Sequence, residues 1–430
     1  MLKKIYIKDL GEYIPNTSNS VNLNTLKKFV SIPYFIKWYF SSESKKVFPI
    51  FLQEISDLNP NKTALSFLVP RNPFFNHTRI KFFGFYMDNK PVGRIMAFTD
   101  YNYSKTHGVK TGWVGHFECI EDEAVARQIL QTAVDYLKEL GVAYVTGPAK
   151  FNANGEVGLL VDGFDKKPYF MEPYNAPYYA DYFEKFGFKK ENDWFSMNTD
   201  DSLSNGYLSR IENMMGRITE RFNRQGKGDR FDDFKFRNID FGRLEEEIST
   251  IKNLYNPIWG AGNHPQFTAM TDDEFDVLCQ GIRTIAIEEL IFIVEKNEVP
   301  IGVSVSLPNI NEIIEEYDLG KKFNSSYMPS GNFLSFRDMK RDIEIFSLIK
   351  TRLKKKQFES MRILILGVDE NFRKNGIDSQ LYYKTAQAAK SIGIRHGSGS
   401  QLADINFDIL NPLFKIGKKS MTWRVYRLDI

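Results

Sequence analysis

The stretch Arg362-Ile-Leu-Ile-Leu-Gly-Val-Asp-Glu-Asn-Phe-Arg-Lys-Asn-Gly-Ile-Asp378 decides how the fold is read. Residues 362–368 form a short run rich in Ile and Leu, the signature of a buried strand. A polar turn with Arg373, Lys374 and Gly376 follows. From there Ile377, Leu381, Tyr382, Ala386 and Ala389 recur at helical spacing to about Lys390. A strand that passes through a basic, glycine-bearing turn into a helix aims free backbone N–H groups at one place. The helix dipole adds positive potential there, so the place suits a phosphate. An ordinary strand–turn–helix with a solvated basic turn is the other reading of the same residues.

At 430 residues the chain has room for more than one core. Its 57 basic and 54 acidic residues leave a formal charge of +3, which argues against nucleic acid as an obligatory partner. With 36 Phe and 21 Tyr, its cores or clefts are expected to be unusually aromatic. Cys119 and Cys279 give no disulfide framework, so a reducing compartment is expected. His77, His107, His116, His264 and His396 make no metal-ligand spacing, so no metal site is expected. The opening Met-Leu-Lys-Lys-Ile-Tyr does not read as a signal peptide, and no apolar run approaches the ~18 residues of a membrane span. The expectation is a cytoplasmic protein without a transmembrane segment, capable of peripheral membrane contact.

Taken in order, a strand-like start is followed by the aromatic segment 26–39, which Pro33 interrupts. Ile80–Met87 and Val92–Thr99 read as a hairpin around Asp88-Asn-Lys-Pro91. Then come a strand at Trp113–Cys119, a helix at Glu123–Leu140, a strand at Ala143–Thr146 and an apolar stretch at Leu159–Phe164. A helix at Tyr178–Phe186 and a last strand around Trp194–Met197 close this half. Residues 200–232 read as a linker, with a helix at Tyr207–Phe222 and a basic cluster of Arg221, Arg224, Lys227 and Arg230. The order then repeats. Helices at Leu244–Tyr255 and Thr271–Ile285 lead to a hairpin, Leu290–Glu295 with Val299–Leu307. After the opening stretch come a short strand at Ile392–Ile394, a helix at Ile405–Phe414 and a final strand at Thr422–Leu428.

Arg373-Lys-Asn-Gly-Ile-Asp378 resembles the coenzyme A pyrophosphate loop of the GNAT superfamily of N-acetyltransferases, whose pattern is Arg/Gln-x-x-Gly-x-Gly/Ala. The first two anchor positions match, while Asp378 stands where a small neutral residue is usual. Arg71-Asn-Pro-Phe-Phe-Asn-His77, Gly112-x-x-Gly-x-Phe-Glu118, Gly158-Leu-Leu-Val-Asp-Gly-Phe164 and Tyr174-Asn-x-Pro-Tyr-Tyr179 are similar to a bacterial family of tandem acyltransferase-like proteins. Pro300-Ile-Gly-Val303, Leu307-Pro-Asn309 and Arg424-Val-Tyr-Arg427 continue the similarity. Some members of that family are linked to ceramide synthesis, acylating the amine of a long-chain base. The resemblance implies an α/β chain of mixed α+β sheets, built as two tandem acyl-CoA N-acyltransferase (GNAT) fold domains. The domains are expected at residues 1–199, with an N-terminal extension, and 233–430, joined by the linker helix and basic segment 200–232. Acetyl-CoA or a longer acyl-CoA is the implied donor and a small-molecule or lipid amine the implied acceptor.

That chemistry needs a phosphate cradle, a base for the amine and an acid for the departing thiolate. Glu121, Asp122 and Glu123 occupy the corresponding helix start in the first half, where they should exclude a pyrophosphate. The cradle is therefore expected in the second half, with Arg373, Lys374, Asn375 and Gly376 facing the pyrophosphate. Val368, as the resemblance implies, would offer backbone groups to the pantetheine arm. Glu118 is a candidate base at a strand end, or else a carboxylate paired with Arg94 or Arg71. Tyr178, beside Tyr179 and Tyr182, is a candidate acid, or else a core or rim aromatic. Asn406 opens the last helix, where relatives carry an acid nearby. Phe183 and Leu413 stand where the family often has a catalytic tyrosine, and neither donates a proton. With Asp378 they favour the alternative, a degenerate non-catalytic GNAT-fold ligand-binding or interaction protein. Lys354, Lys355 and Lys356 form a run that suits anionic headgroups or a solvated helix end.

Overall fold

The computed structural model describes residues 4–151, 153–199, 206, 208–224, 230–260, 264–320, 328–414 and 417–430. Gly226, Lys227 and Gly228 of the basic cluster lie outside them. The chain opens with β1 (Ile5–Ile14), β2 (Ser18–Asn19), α1 (Leu23–Ser31) and α2 (Phe51–Asp57). Next come β3 (Thr78–Met87), β4 (Lys90–Asp100), α3 (Tyr101–His107), β5 (Thr111–Cys119) and α4 (Glu123–Glu139). They lead to β6 (Tyr144–Gly147), β7 (Leu159–Asp162), α5 (Tyr179–Phe186), β8 (Lys189–Asn198) and α6 (Leu208–Arg224). The second half holds β9 (Lys235–Asn238), α7 (Leu244–Gly260), α8 (Asp272–Arg283), β10 (Ile291–Lys296), β11 (Val299–Pro308), α9 (Asn311–Gly320) and α10 (Phe336–Lys355). It closes with β12 (Ser360–Val368), α11 (Ile377–Ser391), β13 (His396–Ala403), α12 (Phe407–Leu413) and β14 (Lys418–Asp429).

The chain divides into two compact units. Unit 1 comprises Met1–Asp193, Ile313–Ser347 and Met421–Ile430, and unit 2 comprises Trp194–Glu312 and Leu348–Ser420. In unit 1, β1, β3, β4 and β5 are successive antiparallel neighbours. β5 then pairs in parallel with β6, and β14 closes the order antiparallel to β6. Unit 2 repeats the plan. β9, β10, β11 and β12 are antiparallel, β12 and β13 are parallel, and residues 194–198 of β8 close antiparallel to β13. Each unit is thus a mixed sheet of the acetyltransferase kind.

Helical crossovers make both parallel pairs, because two parallel strands cannot be joined by a tight turn. In unit 1 the crossover is α4. Asp122 starts it by accepting the N–H groups of Ala124 and Val125. Val125, Ile129, Leu130, Ala133 and Leu137 form its buried face. Ile129 packs so closely on β4 that a Cβ on Gly93 would stand 2.3 Å from its Cδ1.

Both parallel pairs are short. Thr111↔Tyr144 to Trp113↔Thr146 is all that β5 shares with β6, and Ser360↔His396 to Ile363↔Gly399 is all that β12 shares with β13. Beyond those residues the strand pairing ends, and in unit 1 the Ala149 N–H still donates to the Val114 carbonyl at 3.0 Å.

Two sequence expectations change. Ile392–Ile394 is the end of α11, not a strand. Gly393 has φ +87°, and the N–H of Ile394 returns to the Ala389 carbonyl at 2.9 Å. The strand starts at His396, in a Gly/Ser-rich run whose weak apolarity hides it. The closing strands are also exchanged relative to expectation. Trp194–Met197 closes the unit 2 sheet, and Thr422–Leu428 lies in unit 1.

Candidate functional site

In unit 1, β5 carries a bulge between the Arg94↔Glu118 and Met96↔Gly115 pairs, with His116 at φ +49°. A bulge turns the following side chains, and here Glu118 is set beside Arg94. Glu118 Oε2 accepts the phenol O–H of Tyr39 at 2.6 Å and that of Tyr179 at 2.8 Å. Its Oε1 lies 3.7 Å from Arg94 Nη2. All four groups are buried. Burial and then the Glu118 charge hold the phenols of Tyr39 and Tyr179 well above the usual tyrosine range. Tyr178 is half-buried and donates to the Cys119 carbonyl at 3.1 Å. Burial, with Cys119 and Glu118, raises its phenol too.

The structure therefore brings Glu118 and Tyr178 together. Glu118 pairs with Arg94, as one of the sequence readings had it, but its fuller role is to accept two phenols. With one oxygen engaged twice, the carboxylate is better placed to orient phenols than to take a proton from an amine. Tyr39 was missed. Nothing local to residues 26–39 marks which of its aromatics reaches β5.

Its only sequence signal was the aromatic density of that segment.

Unit 1 holds a second, half-buried cluster. Lys150 Nζ stands 2.7 Å from Asp57, 3.0 Å from Glu54 and 3.5 Å from Glu156. Burial pushes the Glu54 carboxyl up, but Lys150 above all, with Arg94, outweighs it and holds the group at about 2. Burial and Arg94 keep the His116 imidazole well below its usual range, hence neutral. At the start of α4, Asp122 takes the first free N–H groups, and Glu123 pairs with Lys185 at 2.8 Å. This helix end is filled by the chain's own carboxylates.

In unit 2 the turn after β12 is built differently. Gly376, at φ +78°, is the N-cap of α11 and supplies no side-chain cap. That leaves the helix start available to an anion. Arg373 turns inward, with Nε donating to the Val368 carbonyl at 3.2 Å and Nη2 to the Ile258 carbonyl at 3.0 Å. Lys374 is exposed, and Asn375 Nδ2 donates to the Phe372 carbonyl at 2.9 Å. The Val368 side chain belongs to a core with Phe292, Val294, Ile301, Ile377 and Leu381.

Helix α6 runs against this turn. A Cβ on Gly376 would stand 2.9 Å from Ile218 Cγ2 and 3.3 Å from the Phe231 ring. Packing alone is therefore a sufficient reason for glycine at 376. Near the paired end of β12 and β13 is a small opening lined by Met361, Ile363, Tyr382, Ala386, Gly399 and Leu413 among others. Asn406 is buried and opens α12, its carbonyl accepting the Leu410 N–H at 3.0 Å. It lies in unit 2, whereas Glu118 and Tyr178 lie in unit 1. Of the lysine run, Lys354 and Lys355 are exposed, and Lys356 pairs with Glu289. No helix among the described residues is long and apolar enough to cross a membrane.

No protein-family profile matches the chain. It is 26% identical over 373 residues to the bacterial ceramide synthase of Caulobacter vibrioides, spanning 86% of this chain and 85% of that protein. It is 24% identical over 416 residues to protein YghO of Escherichia coli, spanning 95% of this chain and 93% of that one. Among solved structures, a GCN5-related glucosamine N-acetyltransferase region of a fungal multi-domain β-N-acetylglucosaminidase aligns with all of this chain at 11% identity and a TM-score of 0.50. The chain spans 38% of the length of that protein.

Proposed function

The fold is that of the GNAT acyltransferases, and we propose that the chain transfers an acyl group from an acyl-CoA to a primary amine, that of a lipid such as a sphingoid base. The observation that carries this reading is the Tyr39–Glu118–Tyr179 cluster at the C-terminal end of β5, with Tyr178 at its rim. The likeness to a bacterial ceramide synthase supports the choice of a lipid amine. In the reaction the amine nitrogen bonds to the thioester carbonyl carbon and loses a proton. The C–S bond breaks, and the thiolate takes a proton. Tyr178 is assigned as the acid because its phenol stays protonated and is only half-buried. Glu118 positions the neighbouring phenols.

The phosphate cradle is assigned within unit 2, where the uncapped start of α11, Lys374, Asn375 and Gly376 would meet the pyrophosphate and Asn406 lies in the same unit. The Glu118–Tyr178 group of unit 1 is a separate candidate, and variants of each unit test the two apart. Backbone groups near Val368 would meet the pantetheine arm, and the work is placed in the cytoplasm. The test is single-turnover acylation of a sphingoid base by acetyl-, short-chain and long-chain acyl-CoA. Tyr178→Phe should lower the rate about 100-fold, the ordinary contribution of an acid–base group, and Glu118→Gln should lower it less, by loosening the phenols that it positions. If both keep full rate while Asn406→Ala loses it, the chemistry belongs to unit 2.

A second reading, a non-catalytic binding protein, is favoured by one observation. The helix start in unit 1 is filled by Asp122, and Ile218 packs beside Gly376 at that in unit 2. Failure of every acyl-CoA to bind would select it.

A further inference from the structure

Helix α10 sorts its side chains by charge over the part that belongs to unit 1. Asp338 and Asp342 are each 1% exposed. Asp338 meets Lys27 Nζ at 3.1 Å, and Asp342 accepts the N–H groups of Phe51 and Leu52. Arg341 also turns inward, to Asp318 at 2.8 Å and to the carbonyls of Phe48 and Pro49. The opposite face is basic and apolar. Phe336 is 81% exposed and Ile343 58%, with Lys340 between them on the same side of the helix. Arg337 lies beside them, and Leu334, 62% exposed, stands on the approach to the helix.

Large apolar side chains held this far into water need a reason. A bilayer surface supplies one, since Phe, Ile and Leu sink to the acyl boundary while Lys and Arg stems reach back to the headgroups. A protein partner fits less well, because Lys is depleted from the cores of protein interfaces. With both aspartates turned inward, Arg337 and Lys340 outnumber the one carboxylate left on this face, Glu344, which lies 3.8 Å from Lys340, and the remaining positive charge fits anionic lipid.

We propose that the face formed by Leu334, Phe336, Arg337, Lys340 and Ile343 docks the protein on an anionic lipid bilayer. It deepens the reading of a lipid amine acceptor and rests on that reading for its purpose. Vesicle binding requires no catalysis, however, so the two fail separately.

The test is co-sedimentation of the full chain with phosphatidylglycerol vesicles and with phosphatidylcholine vesicles, at low and high salt. The intact chain should bind the anionic vesicles in preference and release them as salt rises. The double variant F336S/I343S should bind at least about tenfold more weakly, and Lys340→Gln about twofold to fivefold more weakly. All three positions are exposed, so the variants should keep the parent thermal melt. Absence of binding to phosphatidylglycerol, or undiminished binding by F336S/I343S, overturns the proposal. So does a dimer in sedimentation velocity that F336S/I343S dissociates while vesicles are ignored, because the face would then serve a second copy of the chain.

Discussion

Lys150 is surrounded by three carboxylates in unit 1, so its removal should cost more than its presence contributes. A buried pair is a modest net stabiliser, but an orphaned buried charge is not. Lys150→Met would leave the half-buried Glu54 and Asp57 without their cation, and we expect a loss of about 1–3 kcal/mol by urea unfolding at neutral pH, between the exposed and the buried case. A loss under about 1 kcal/mol would mean that water reaches the cluster. Asp342 has the opposite character. Burial raises its carboxyl to about 6, against the pull of Arg341 and Lys27. A raised folded value means that the native state holds the proton more tightly than the unfolded chain. The stabilisation is therefore complete below the unfolded value and is lost as pH rises through about 6. The whole effect is at most about 3 kcal/mol. Asp342→Asn should flatten the stability curve between about pH 4 and pH 6, where the parent declines. An unchanged slope in that window would show that Asp342 does not titrate there.

At the scale of elements, the pairing of α6 with α11 bears most on function. Ile218 meets Gly376, and Tyr383 donates its phenol O–H to Glu212 at 2.9 Å. A pyrophosphate at the start of α11 competes with this packing, so only the fraction of molecules with α6 displaced would be competent to bind. Ile218→Ala should then tighten acyl-CoA about threefold to tenfold in calorimetric titration. An unaltered affinity would place the phosphates away from Ile218. Arg373→Ala should be read with a stability measurement beside it, because it also removes the donor to two backbone carbonyls. The strand, basic turn and helix at 362–390 were legible because apolar run, glycine and helical period are all local signals. Strand β13 was not, since His396-Gly-Ser-Gly-Ser-Gln401 carries almost no apolar pattern. Glu118 could be picked out from its strand-end position beside Phe117. Its partner Tyr39 could not, because a contact 79 residues away in sequence leaves no spacing to read.

At the scale of the whole chain, alternation identifies a strand but says nothing about which sheet receives it. Trp423, Val425 and Tyr426 read as the last strand of the second half, and all are fully buried in unit 1. There Tyr426 packs on Phe183 at 5.6 Å between ring centroids, and Trp423 Nε1 donates to the Pro173 carbonyl at 2.8 Å. Arg424 meets Asp193 at 2.9 Å. Residues 313–347 add a second dependence, through Asp338 on Lys27 and Arg341 on the Phe48 carbonyl. A fragment ending at residue 199 would lack both segments. Emptying the positions of three large buried side chains costs about 2–5 kcal/mol each, against a total stability of about 5–15 kcal/mol for a domain. Lys27 would also be left buried without its carboxylate. The fragment 1–199 should therefore show no cooperative melt and no fixed aromatic signal in near-ultraviolet circular dichroism, while the full chain shows both. Adding a separate peptide of residues 418–430 should restore little, because the contacts of 313–347 would still be missing. A fragment 1–199 that melts cooperatively near the temperature of the full chain would show that the first half folds without the strand and helices lent to it by the second.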